Sequence, residues 1–153
     1  RPTPDRVRET LFNWLGQDLS GLCCLDLFAG SGILGFEAAS RGATEVVMVE
    51  KDRRVFAHLE RAAAAFADPR LRPVCGDALK WAAASTQGFD LVFLDPPYRH
   101  GWLERVEPLL PRVCKPGARI YAEAEHPLDT LGAWQVIRRG AAGQVHFHLL
   151  ENS

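Results

Sequence analysis

A carboxylate, two prolines and an aromatic ring follow the apolar segment 89–94, in the order Asp95-Pro96-Pro97-Tyr98. Segment 89–94 is predicted to be a buried strand, which must end there because proline lacks the N–H that a sheet requires. The turn leaves a carboxylate, a carbonyl group and a flat ring at the carboxyl end of the strand, where open parallel sheets bind their ligands. Such groups suit the amino nitrogen of a planar base, although a Pro-Pro turn can also be a simple structural break.

Acidic side chains lie at the ends of three other predicted strands, at Asp26, Glu50 and Asp77. The carboxyl ends of parallel strands share one edge of a sheet, so we expect these acids to converge with Asp95. Each acid alone could simply stabilise the start of the helix that follows it. Together they favour one common site.

A glycine turn follows the first of these strands and matches the pattern G-x-G-x-x-G at residues 30–35, with Glu50 about 20 residues after Gly30. This pattern is compatible with NAD, whose pyrophosphate binds a helix N-terminus and whose ribose binds the acid. Asp26, however, would repel a pyrophosphate, whereas it suits an ammonium or sulfonium group. The turn at Asp95 also has no role in hydride transfer. S-adenosylmethionine therefore fits better, and an NAD-binding oxidoreductase is the alternative.

Alternating β and α segments must position these residues. A first helix is predicted to start with Thr3 as its N-cap and Pro4 in its first turn. Strands are predicted at 22–28, 45–50, 71–75, 89–94, 118–124, 134–139 and 144–151, and further helices at 33–41, 52–67, 78–86 and 102–113, the last kinked near Pro108 and Pro111. This order predicts an α/β fold: a doubly wound, mostly parallel seven-stranded sheet with helices on both faces and a C-terminal antiparallel hairpin, in a single domain over 1–153.

Composition places the chain among ordinary globular proteins, with 47% apolar and 24% charged residues. A net charge of −1 gives no overall basic character, so nucleic-acid binding would need a local patch. No apolar segment approaches the roughly 18 residues of a membrane span, and we expect a cytoplasmic protein. Four cysteines, without a C-x-x-C pair, are predicted to be buried reduced thiols with no metal or disulfide role: Cys23, Cys24, Cys75 and Cys114.

Two motifs resemble those of a known enzyme class. Residues 26–32 are similar to the first motif of Rossmann-like methyltransferases, and residues 95–98 to the [DNP]-P-P-[YF] signature of enzymes that methylate amino groups. Segments 1–15 and 35–43 closely resemble the RsmD-type family, and the similarity runs over essentially the whole chain. That family methylates the exocyclic N2 of one guanine in 16S rRNA of the small ribosomal subunit. Adenine-N6 enzymes share the tetrapeptide, so the choice of guanine depends on those two segments.

The resemblance implies S-adenosylmethionine as the cofactor and assigns residues to it. Asp26 would bind the methionine ammonium, Glu50 the ribose hydroxyls, and Thr3 the methionine carboxylate, with Arg1 or Asn13 as less favoured candidates. Lys51 and Asp52 would flank the adenine, whose edge Asp77 and Ala78 would read. The remaining cofactor contacts are expected from the turn and from the strand end beside it: Phe28, Ala29, Gly30, Ser31, Gly32 and Asp95.

The resemblance also implies a base site and an RNA surface. Asp95 and the carbonyl of Pro96 would orient the guanine amino group, Pro97 would hold the turn, and Tyr98 would stack on the base. The expected partner is 16S rRNA or an assembling small subunit, bound by a monomer without a metal. Family members usually start with a basic β-hairpin region, so we expect a further segment before residue 1. Phosphate contacts are predicted for Arg6, Arg8, Arg99, His100 and Arg105.

Overall fold

All the predicted strands lie in one sheet of the computed structural model, which describes residues 3–152. The strands within these residues are β1 (Cys23–Asp26), β2 (Glu45–Glu50), β3 (Leu71–Cys75), β4 (Phe89–Leu94), β5 (Cys114–Ala124), β6 (Thr130–Leu131), β7 (Trp134–Ala142) and β8 (Val145–Asn152). Their order is β3-β2-β1-β4-β5-β8-β7-β6. Strands β1 to β5 pair in parallel, whereas β8 and β7 add antiparallel. The α/β fold class is thereby confirmed.

The sheet has eight strands among the described residues rather than the seven predicted. The additional strand, β6, pairs only Thr130 and Leu131 with the start of β7, and so it is too short for any alternation of apolar residues to show. Strand β5 also begins at Cys114, before the turn predicted at 115–117. The β4–β5 register shifts between Phe89 and Leu91, and this irregularity accommodates the additional residues.

Helices cover both faces of the sheet, as predicted. On one face lie α1 (Asp5–Leu15), α2 (Ile33–Ser40) and α3 (Arg53–Phe66). On the other lie α4 (Ala78–Ala84), α5 (Trp102–Val106) and α6 (Leu110–Val113), the last two joined by the 3-10 turn Glu107–Leu109. The prolines at 108 and 111 break the predicted helix 102–113 because each removes a backbone donor. Both faces of the central strands are therefore buried, which explains their continuous apolar sequences.

The order of the strands reverses between β1 and β4, which are neighbours although β2 and β3 separate them in the chain. The connection from β1 leads to β2 on one side of β1, whereas the connection from β3 leads to β4 on its other side. Open α/β sheets bind their ligands in the crevice that forms at such a point. Asp26 is the last residue of β1 and pairs in register with Phe93 of β4, so Asp95 lies directly beyond the same edge. The fold therefore brings the first and last acids of the predicted set together.

The start of α1 differs from the prediction. Pro4 occupies the N-cap position and no side chain caps the helix, whereas Thr3 is buried and its hydroxyl contacts Asp95 and Glu123. An N-cap hydroxyl accepts from a backbone N–H, whereas the Thr3 hydroxyl faces two carboxylates, and hydrogen bonds to charged groups are the stronger ones. Thr3, two residues before α1, is consequently tied to the carboxyl edge of the sheet.

The cysteines also differ from the prediction in part. All four are free, but only Cys24 is fully buried; Cys23 and Cys114 are half-buried, and Cys75 is exposed at the end of β3. Cys75 is the last residue of β3, which is an edge strand of the sheet. Across residues 3–152, no helix has the length and apolar character that crossing a membrane would need.

Candidate active site

A cavity of about 770 Å³ opens at the carboxyl edge of strands β1 to β4. This volume falls in the range of small-molecule and cofactor sites. Most of the residues predicted for the site line it: Thr3, Asp26, Phe28, Ala29, Gly30, Ser31, Glu50, Lys51, Asp52, Asp77, Ala78, Asp95, Pro96, Pro97, Tyr98 and His100. The sequence did not indicate four further lining residues, Leu27, Ile33, Leu34 and Trp102. Of the remaining candidates, Gly32 and Asn13 do not line the cavity, and Arg1 lies outside the described residues.

Glu50 holds the glycine turn at the mouth of this cavity. Its Oε1 accepts the N–H of Gly30 at 2.9 Å, and its Oε2 accepts the N–H of Asp52 at 2.8 Å. Gly30 has φ +56° and Gly32 has φ +88°, and a Cβ at Gly32 would lie 2.6 Å from Cδ1 of Leu59. The turn therefore requires glycine at residue 32 for packing behind the cavity, while Glu50 fixes two loops in front of it.

Asp52 and Asp77 each begin a helix and line the cavity as well. Oδ1 of Asp52 accepts the N–H groups of Arg54 and Val55 at 2.9 and 3.1 Å, and Oδ2 of Asp77 accepts the N–H of Lys80 at 3.0 Å. Both are N-caps of the kind that stabilises a helix start. Asp52 and Asp77 therefore cap their helices and line the cavity at the same time, and the capping contacts hold both carboxylates in fixed orientations.

Asp26 is the fully buried acid that lines the cavity, and Asp95 beside it is half-buried. Asp26 is 1% exposed, and burial raises its pKa to about 7, with Glu50 and Glu123 adding to the effect, although its Oδ1 accepts the N–H of Phe28 at 3.1 Å. Burial also raises the pKa of Asp95, and so do the charge of Glu123 and a hydrogen bond with it, whereas the Thr3 hydroxyl opposes the rise. Buried acids of this kind are stabilised in their charged form by a bound cation.

Glu123 lies behind the cavity-lining Thr3 and is a further residue that the sequence did not indicate. It lies on β5, is 1% exposed, and its Oε2 is 3.1 Å from the Thr3 hydroxyl and 2.6 Å from the Tyr121 hydroxyl. The Thr3 hydroxyl is also 3.1 Å from Oδ2 of Asp95. The only sequence signal was one acid within the apolar segment 118–124, because lone charges are rare in buried strands.

The loop after β4 forms the outer wall of the cavity. Arg99 and His100 adopt left-handed conformations, with φ +69° and +70°, before Gly101 at φ +60°. Such conformations are costly for non-glycine residues and concentrate at functional sites. The ring of Trp102 meets Phe28 edge-on at 5.6 Å, and the Arg105 guanidinium lies 4.2 Å from the centre of the Trp102 ring.

The five predicted RNA-contact residues occupy different settings. Arg6 is exposed on α1, and Arg99 and His100 are exposed at the cavity mouth. Arg105 is exposed but lies over Trp102. Arg8 is half-buried and pairs with Asp5 at 3.4 Å and Glu37 at 3.7 Å, so its charge is already engaged within the protein.

Because the raised pKa of Asp26 favours its neutral form, the folded protein without ligand should lose stability as the pH rises. A carboxyl with pKa about 7 in the folded state and near 4 in the unfolded state binds more protons when folded between those values. The free energy of unfolding should therefore fall from about pH 4 to pH 7. Asp26→Asn removes this contribution and should flatten the profile, as measured by urea unfolding at a series of pH values. A profile unchanged by Asp26→Asn would contradict a raised pKa for Asp26 in the folded protein.

Comparisons with known proteins agree with this geometry. A family model described as conserved hypothetical protein 95 matches residues 1–151. Ribosomal RNA small subunit methyltransferase D from Escherichia coli K12 is 42% identical over 156 residues, covering 99% of this chain and 79% of that protein. The solved structure of yhhF from Escherichia coli has a TM-score of 0.92 and 40% identity, covering 100% of this chain and 87% of that one.

A more distant solved structure shows the same fold. The RNA methyltransferase from Salinibacter ruber, in complex with S-adenosyl-L-homocysteine, has a TM-score of 0.78 at 18% identity, covering 99% of this chain and 94% of that one. The resemblance seen in segments 1–15 and 35–43 is thus confirmed over nearly the whole length. This chain belongs to the RsmD-type family of Rossmann-like methyltransferases.

Proposed function

We propose that this protein transfers a methyl group from S-adenosylmethionine to the exocyclic N2 of a guanine in 16S rRNA of the small ribosomal subunit. The observation that carries the proposal is one cavity lined both by the Asp95–Tyr98 turn and by Asp26 and the glycine turn. A base-orienting motif and a cofactor loop therefore face each other across the same space. The curated relative named ribosomal RNA small subunit methyltransferase D supports this choice of substrate.

The side chains in the cavity fit S-adenosylmethionine chemically, because the buried Asp26 and the half-buried Asp95 suit a cationic ligand. Asp26 would bind the methionine ammonium, and the carboxylate of Glu50 would accept from the ribose hydroxyls beside the turn that it holds. Asp77 and the N–H of Ala78 would read the adenine edge, with Lys51 and Asp52 flanking the ring. The sulfonium supplies an electrophilic methyl group when the cofactor is bound.

Thr3 takes a different role from the one that the family resemblance implied. Its hydroxyl contacts the carboxylates of Asp95 and Glu123 within the cavity wall. We therefore assign Thr3 to the positioning of Asp95 rather than to the methionine carboxylate.

Asp95 and Pro96 would perform the central task of orienting a weak nucleophile. The lone pair of the guanine amino group is delocalised into the ring, and donation of its hydrogens to the Asp95 carboxylate and the Pro96 carbonyl would aim the nitrogen at the methyl group. The N–C bond forms as the C–S bond breaks, sulfur keeps the electron pair, and Asp95 accepts the proton from nitrogen. Positioning of this kind is worth about 7–11 kcal/mol. Tyr98 would stack on the base for roughly 1–3 kcal/mol.

RNA must present the guanine outside a helix, since enzymes that modify bases act on splayed or flipped nucleotides. Arg6, Arg99, His100 and Arg105 are exposed, His100 lines the cavity, and all four would contact phosphates. We propose that a cytoplasmic monomer, acting as a single domain without a metal, binds 16S rRNA or an assembling small subunit.

Methyl transfer to small-subunit RNA that lacks the modification tests this function. With tritiated S-adenosylmethionine, the label should appear as N2-methylguanosine after nucleoside analysis. Label in N6-methyladenosine would move the assignment to adenine. In calorimetry, binding of NAD without binding of S-adenosylhomocysteine would overturn the proposal in favour of an oxidoreductase.

A further inference from the structure

Glu123 is a buried carboxylate that the methyl-transfer scheme above leaves without a role. Leu94 of β4 pairs with Ala122 of β5, so Glu123 lies one residue further along, level with Asp95 at the carboxyl edge. It is 1% exposed. Burial of a carboxylate costs several kcal/mol unless its charge is compensated or it takes up a proton. A buried acid beside the proposed acceptor of the reaction therefore requires an explanation.

The Thr3 hydroxyl joins this acid to Asp95. Its oxygen lies 3.1 Å from Oδ2 of Asp95 and 3.1 Å from Oε2 of Glu123. A hydroxyl carries one hydrogen and can donate to only one of two carboxylates, but it can accept from the other if that one is protonated. Tyr121 donates to Glu123 as well, at 2.6 Å. The Thr3 hydroxyl can therefore join the two acids when Asp95 carries a proton, which Asp95 donates to the Thr3 oxygen while Thr3 donates to Glu123.

We propose that Glu123 is a positioning residue whose negative charge keeps a proton on Asp95 in the resting enzyme, and that this proton leaves when the sulfonium of S-adenosylmethionine enters the cavity. This inference rests on the proposed function. The raised pKa of Asp95, caused first by burial and then by the charge of Glu123, agrees with a proton held near neutral pH. Two close carboxylates in one site behave in this way because they cannot both ionise easily.

The proton balance closes over one reaction cycle. When the sulfonium enters, Asp95 loses its proton to solvent and becomes a carboxylate that can accept from the guanine amino group. When the N–C bond forms and the C–S bond breaks, the proton on nitrogen passes to Asp95. The pair then again holds one proton, beside a neutral thioether. The charge of the Asp95–Glu123 pair thus follows the charge on the sulfur.

Other side chains also influence the Asp95–Glu123 pair. A comparison of two ligands separates their influence from that of the sulfonium. Asp26 of β1 raises the pKa of Asp95, the Thr3 hydroxyl lowers it, and the Tyr121 hydroxyl contacts Glu123. Asp26 is assigned to the methionine ammonium, which S-adenosylmethionine and S-adenosylhomocysteine share. Only the sulfonium distinguishes these ligands, so the difference between them reports on the Asp95–Glu123 pair.

Calorimetric titration without RNA measures this difference directly. Each ligand is titrated near pH 7 in buffers of different ionisation enthalpy, which gives the number of protons released on binding. Wild-type protein should release up to about one proton more with S-adenosylmethionine than with S-adenosylhomocysteine. Glu123→Gln should lose the difference, because a neutral amide removes the like charge that keeps Asp95 protonated. Glu45→Gln is the matched control, because Glu45 is the first residue of β2 and does not line the cavity, and this variant should retain the difference in proton release.

Thr3→Val provides a second variant that keeps the shape of the side chain. The hydroxyl that joins the two acids is lost while the charge of Glu123 remains, so the additional proton release should persist and its pH dependence should shift from that of wild type. Equal proton release with both ligands in wild type, or an unchanged difference in Glu123→Gln, would overturn the inference and leave the proposed function standing. Binding of neither ligand would overturn the proposed function and this inference with it.

Discussion

Asp95→Ala should reduce the single-turnover rate of methyl transfer by about 10²–10³-fold, the usual cost of removing one preorganised polar contact to a reacting group. The affinity for S-adenosylhomocysteine should stay close to that of wild type, because the proposed anchors of the ligand are Asp26 and Glu50. The substitution removes the carboxylate that orients the guanine amino group and leaves these two anchors in place. Rates are measured with tritiated cofactor on small-subunit RNA, and affinity by calorimetry.

Asp95→Asn makes this prediction more specific. Asparagine keeps one carbonyl oxygen as an acceptor but has no charge, and so it should orient the amino group partly and retain more activity than alanine. Asp90→Asn is the matched control, since Asp90 lies at the other end of β4 and accepts the N–H of Cys23 at 2.9 Å. Equal rates for Asp95→Ala and wild type would show that another group positions the amino nitrogen.

The sequence predicted the carboxyl edge of the sheet well because its chemistry is local. Two successive prolines end β4 because neither has an N–H to donate, and Gly32 adopts a positive φ that other residues adopt at a cost. Buried parallel strands also appear as continuous apolar segments. Asp26, Glu50, Asp77 and Asp95 could thus be placed at one edge from strand ends alone.

The missed residues depend on contacts between distant segments. Glu123 reaches Asp95 only because β5 lies beside β4 in a particular register, which the apolar pattern of β5 does not specify. Thr3 looked like an N-cap because Pro4 and Asp5 follow it, yet two carboxylates from distant strands compete for its hydroxyl. Trp102 has helical spacing typical of a core residue, and its position against Phe28 follows from the left-handed loop before it.

Glu50→Ala should have the converse effect to Asp95→Ala, weakening the binding of S-adenosylhomocysteine by about 100-fold with a smaller effect on the rate at saturating cofactor. Two ribose hydrogen bonds to a charged group are worth about 1.5 kcal/mol each at the lower end of their range, and 1.4 kcal/mol is a tenfold change. The carboxylate also holds Gly30 and Asp52 through their N–H groups. Its loss therefore loosens the two loops that would meet the ligand.

Glu50→Gln separates these two contributions. The amide retains one acceptor oxygen, so it can hold either Gly30 or Asp52 but cannot accept from both, and its affinity should lie between those of wild type and Glu50→Ala. Glu45→Gln tests the same change at the opposite end of β2, where the side chain pairs with Arg72, and should leave ligand affinity unchanged. If Glu50→Ala abolished turnover at full cofactor occupancy while Asp95→Ala weakened binding, the assignments of the two acids would have to be exchanged. Their positions argue against that outcome, because Glu50 fixes the loops of the cofactor side whereas Asp95 stands before the prolines and Tyr98.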